Sequence, residues 1–164
     1  MLGVNQAFAV AGYAPTAAEL SLPPPFCQVK LGSNSSPADV KLYSGKIGPD
    51  WLRIHHYCFG LNFANKTDEA FYLQSAMGEF SYVFTHSSPI FWMQPDIHVQ
   101  KGKLLAAAKR NIEAIGEYEK ALQDNPNYVE AYVALRACEK IKKTPLLCHR
   151  NTHHKRYKQH TRTQ

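Results

Sequence analysis

Pro95 to Tyr128 reads as one helix-turn-helix unit, and Val129 begins the same pattern again. Pro95 stands at a helix entry, where a missing amide donor costs nothing, and the spacing predicts a helix over Asp96 to Ala108. Lys109-Arg110-Asn111 turns the chain, a second helix from Ile112 to Gln123 returns antiparallel, and Asn125-Pro126-Asn127 ends it. A third helix is expected from Val129 to Lys143, stopped by Thr144-Pro145. Such a unit cannot bury its apolar face alone. It must stack on neighbours, which confines the chain to an all-α, solenoid-like architecture.

The segment upstream fits the same plan. Leu52, Ile54, Cys58, Phe59, Leu61 and Phe63 give Trp51 to Lys66 the apolar spacing of a largely buried helix. Asp50, after the turn Gly48-Pro49, is the expected N-cap. A second, aromatic-rich helix is expected from Ala70 to about Thr85, broken by Ser87-Ser88-Pro89. Residues 51–143 therefore form the helical domain. Before it, residues 1–22 read as a disordered leader and residues 23–50 as an arm rich in Pro, Gly and Ser. Within that arm Leu22 to Phe26 is expected to be stiff and extended, and residues 32–38 a loop. Residues 144–164 are a basic, His-rich tail.

The register of residues 95–128 resembles the tetratricopeptide-repeat family. With Pro95 at the first position, Gly102 falls at the eighth, Leu105 at the eleventh and Ala114 at the twentieth. Tyr118 follows at the twenty-fourth, Ala121 at the twenty-seventh and Pro126 at the thirty-second. Tyr132 takes the aromatic fourth position of the next count. These residues serve packing: small ones admit the neighbouring helix, the aromatics fill the space between hairpins, and the proline ends the unit. His98 in place of the usual aromatic, Lys101 in place of leucine and Arg136 in place of glycine depart from the pattern. His56, Phe59, Gly60 and Phe63 fit an earlier, diverged repeat, making about two and a half in all. Gly60 and Gly102 lie eight residues further apart than the family's 34, an excess expected in Thr67 to Ala70 and Thr85 to Gln94.

The resemblance implies a scaffold that holds a protein or an extended peptide along its concave face. The matching positions are Asp96, Val99, Lys103, Ala106 and Ala107, then Glu130, Val133 and Ala137. The subclass that clamps a C-terminal carboxylate needs lysine and asparagine where this chain has Val99 and Lys103. That mode is set aside, leaving a mostly apolar groove suited to an extended peptide, or surfaces that merely pack a neighbouring helix or a tail; self-association is a further partner reading.

Catalysis finds no support in motifs: there is no G-x-S-x-G, phosphate-binding glycine loop or H-E-x-x-H. Glu113, Glu117 and Glu119 read as solvated carboxylates. His55 and His56, adjacent on a helix, diverge by about 100° and do not suit one shared ion, so packed core histidines are expected. No metal or cofactor is expected. The formal charge of +6 resides beyond Ile141, where seven cations and no acid occur. An alternative reading lets residues 144–164 contact nucleic acid or an anionic membrane by charge alone.

Compartment rests on two features. Residues 1–20 are small and apolar, with Ala7-Phe8-Ala9 resembling the end of a secretory signal, although a positive start is missing. A signal remnant and an ordinary flexible leader both fit. Four cysteines lack any C-x-x-C spacing, and Cys27 with Cys58 is the natural disulfide pair if the chain is exported. Together these tilt the expectation toward a periplasmic or secreted protein, an envelope assembly or accessory factor in a bacterium, over a cytoplasmic one.

Overall fold

The computed structural model describes residues 13–66 and 70–141, and among them every regular element is helical. The helices are α1 (Ala17–Leu20), α2 (Pro25–Leu31), α3 (Pro37–Ile47), α4 (Ile54–Ala64), α5 (Ala70–His86), α6 (Gln94–Ala107), α7 (Asn111–Asp124) and α8 (Val129–Ile141). A 3₁₀ turn, Gly48–Leu52, links α3 to α4. Two antiparallel hairpins, α4 with α5 and α6 with α7, form the body, and α8 packs across both helices of the second.

Both hairpins are closed by one device. A Cβ built on Gly102 would lie 2.3 Å from Cε1 of Tyr118, and one on Gly60 would lie 2.6 Å from Cε1 of Phe80. No residue but glycine lets these rings lie flat on the facing helix. The matching places carry further pairs. Ala76 and Ala114 are fully buried, as are Val83 and Ala121. His56 Nδ1 donates to Glu79 at 2.6 Å, and His98 Nδ1 donates to Glu117 at 2.7 Å. A carboxylate accepts only, so in each pair the proton sits on the ring nitrogen. The glycine-to-ring interval is 20 residues in the first hairpin and 16 in the second. Half of the eight-residue excess between Gly60 and Gly102 therefore lies before Phe80 and half after it.

The buried residues fall into two clusters. One, around Ile54, Phe63, Phe80, Val83 and Ile97, fills the first hairpin and its junction with α6. The other, around Val99, Leu105, Tyr118 and Ala131, lies under α8. Asp96 braces the two hairpins: its carboxylate accepts from Tyr57 on α4, from Tyr128 just before α8 at 2.9 Å, and from Gln100. Burial first, then the neighbouring Asp96 charge, pushes the Tyr57 and Tyr128 hydroxyls well above the ordinary tyrosine range, so both stay donors.

The N-terminal expectations need correction. The described part of the leader is ordered: Tyr13 donates to Asn62 at 2.6 Å and its ring packs on Phe59 and Phe63. Thr16 and Glu19 form a capping box on α1, and Glu19 pairs with Lys66 at 2.5 Å. The extended reading of Leu22 to Phe26 stops at Pro24, because Pro25 starts α2, and the loop expected over residues 32–38 is cut short where Pro37 starts α3. Proline fixes the helical φ and lacks only an amide that a first turn leaves unbonded. Asp50 is not an N-cap either. It is buried, and its Oδ1 accepts from the Ser88 amide at 2.9 Å, tying the 3₁₀ turn to the α5–α6 loop. The disulfide expectation holds: Cys27 and Cys58 are bonded, both fully buried, fastening α2 to α4.

Candidate functional site

α8 lies against α6 and α7 with one flank unoccupied. Val129 is 65% exposed and Val133 62%, four residues apart and so on one helical face. Between that face and α6 runs a groove of about 420 Å³, lined by Lys103, Ala106, Tyr118, Val129, Val133 and Ala137, with Glu130, Ala134 and Cys138 completing it. Ala106 on α6 and Ala134 and Ala137 on α8 give it short side chains along part of each wall. Tyr118 forms the floor, pinned by its contact with Gly102. Burial pushes its hydroxyl up to about 12, with Cys138 adding a smaller contribution, so the ring stays neutral. The lining can accept apolar side chains from a segment of chain, with one cation and one anion at hand to fix its direction.

Five of the eight sequence-nominated residues meet here: Lys103, Ala106, Glu130, Val133 and Ala137. Three stand apart. Val99 is fully buried in the cluster beneath α8, and Asp96 is engaged by two tyrosines. Ala107 is exposed but not part of the groove lining. The packing residues lie where the register put them: Gly102, Leu105, Ala114, Tyr118 and Ala121 are buried, and Pro126 follows the end of α7. Tyr132 donates to the Pro126 carbonyl at 2.9 Å instead of filling the core.

No family model, curated protein or solved structure matches the chain.

The solvated reading of Glu117 is also corrected. Its side chain is buried among His98, Lys101 and Lys120. Burial alone would raise its pKa, but hydrogen bonds from His98 and Lys120 and the nearby Lys101 charge prevail and hold it at about 2. Glu113 and Glu119 are exposed as expected. The two adjacent histidines do not diverge: their rings lie 4.1 Å apart, and Tyr82 stacks on His56. Burial, then the neighbouring His56, lowers the pKa of His55. Among the described residues no group of three or more His, Cys, Asp or Glu side chains is placed to hold a metal. The His-rich tail, residues 144–164, lies outside the described residues, as does Cys148.

Proposed function

We propose that this chain is a non-enzymatic, tetratricopeptide-type scaffold that binds a protein or peptide segment in the groove between α6 and α8. The observation that supports this most is the groove itself. It is open and largely apolar, and it joins five residues nominated from the repeat register alone. A preformed surface of rigid helices costs little entropy on binding, because its wall geometry is fixed by the Gly102–Tyr118 contact beneath. The occupant is an extended or helical segment whose apolar residues reach Val129, Val133 and Ala137, with a polar group at each end for Lys103 and Glu130. A bonded, fully buried Cys27–Cys58 pair fits an oxidising compartment, which supports an envelope or secreted accessory role.

The test begins with peptides selected from a displayed random library on the immobilised full chain. Val133→Asp places a charge on an exposed face, so the fold should survive, as circular dichroism would report. Affinity for the selected peptides should fall at least about tenfold, the effect of one desolvated charge in an apolar contact. Unchanged affinity in a folded Val133→Asp variant would remove the groove from the reading.

A further inference from the structure

The end of the molecule opposite in character to the groove is the pair of loops tied by Asp50 and Ser88. The segment Ile90 to Met93 alternates sharply: Phe91 and Met93 are each 4% exposed, whereas Ile90 is 89% and Trp92 62% exposed. The buried pair anchors the loop, and the Gln94 side chain donates to the Ser88 carbonyl at 3.0 Å, so the outward pair is presented on a fixed backbone. The adjoining 3₁₀ turn contributes Leu52, 71% exposed. Three large apolar side chains thus project from two neighbouring loops.

Their electrostatic setting is one-sided. Lys46 precedes the turn and Arg53 follows it. Residues 40–66 hold one carboxylate, Asp50, which is buried and spent on the Ser88 amide, and residues 80–95 hold none. Of the carboxylates bordering residues 80–95, Glu79 pairs with His56 and Asp96 with Tyr57 and Tyr128, while Asp39, at the far end of α3, bonds with Ser36. A protruding tryptophan with aliphatic neighbours, on two loops whose free charges are the cations Lys46 and Arg53, has the chemistry of a membrane-interface anchor.

We infer that Leu52, Ile90 and Trp92, flanked by Lys46 and Arg53, seat this protein on an anionic phospholipid surface. The inference is independent of the groove and of the basic residues beyond Ile141. None of the described helices is long and apolar enough to span a membrane, so this contact is peripheral.

The chain has two tryptophans, Trp51 and Trp92, so Trp51→Phe leaves Trp92 as the sole reporter. That full-length variant is mixed with vesicles of phosphatidylcholine alone or with one quarter phosphatidylglycerol, with and without brominated acyl chains. Binding should be at least tenfold tighter to the anionic vesicles, with Trp92 emission blue-shifted and quenched by bromine. In the same background Leu52→Asp with Ile90→Asp should weaken binding at least tenfold while leaving circular dichroism unchanged. No binding to anionic vesicles would overturn the inference. So would binding without bromine quenching, which would assign the contact to the cations beyond Ile141. Undiminished binding of the double aspartate variant, or a blue shift elicited by a protein and by no vesicle, would overturn it equally.

Discussion

Gly102→Ala should destabilise the protein, whereas Gly116→Ala should stabilise it, although both glycines lie inside helices of one hairpin. The new methyl at position 102 would meet three carbons of the Tyr118 ring at 2.3, 2.6 and 2.8 Å. The ring is buried in the cluster under α8, so displacing it breaks that packing. Forcing a methyl into such packing costs about 3 kcal/mol, the upper part of the usual range. Alanine returns about 1 kcal/mol of helix propensity, leaving a net loss of about 2 kcal/mol. At position 116 nothing lies within 4 Å of the built Cβ, so the propensity gain of about 1 kcal/mol stands alone. For a body of this size the two alanines should shift the midpoint by about −4 to −8 °C and about +2 to +4 °C. Paired thermal and urea melts measure this. In a Tyr118→Ala background the penalty of Gly102→Ala should vanish, since the obstructing ring is gone. Equal stability of the two glycine variants would refute the close-approach account of how the hairpins are built.

Further outcomes follow from the buried charge and the cross-link. The Glu117 pKa is held near 2 in the folded state against an ordinary 4.5, so its contribution is present above pH 4.5 and is lost as pH falls toward 2. Discounted for water at its rim, that is about 1–2 kcal/mol. Urea titrations at stepped pH should show this slope in the parent and not in Glu117→Gln. Replacing Cys27 and Cys58 together by serine opens a loop spanning 31 positions and should cost about 3–4 kcal/mol, read as an earlier urea midpoint. Tyr57→Phe leaves the Asp96 carboxylate with one tyrosine fewer and should cost about 1–2 kcal/mol, measured by thermal melting.

The second hairpin was legible because its signals are local. Gly102, Tyr118, Ala121 and Pro126 each have one steric role, and their spacing places α6 and α7 within a residue or two of where they lie. Harder to read were features that depend on a partner distant in sequence. Glu117 reads as a surface carboxylate until His98, 19 residues earlier, is brought against it across the hairpin. Asp50 reads as a cap until the Ser88 amide, 38 residues later, claims it. Val99 shares the polar-to-apolar spacing of the groove positions, but the packing of α8 on the second hairpin places it in the core. In the arm the same prolines serve an extended chain and the first turn of a helix, and sequence alone does not separate the two uses. Ile90 and Trp92 gave no signal, because alternation over four residues of a loop resembles a short strand as much as an anchored turn.

The most direct measurement of the groove's role is a map of amide shifts in the ¹⁵N-labelled full chain as a selected peptide is titrated in. The account predicts saturable shifts concentrated at Lys103, Ala106, Val133 and Ala137, with Val99 and the α4–α5 hairpin little changed. Shifts confined to α4 and α5, or saturation with the groove amides unmoved, would contradict it.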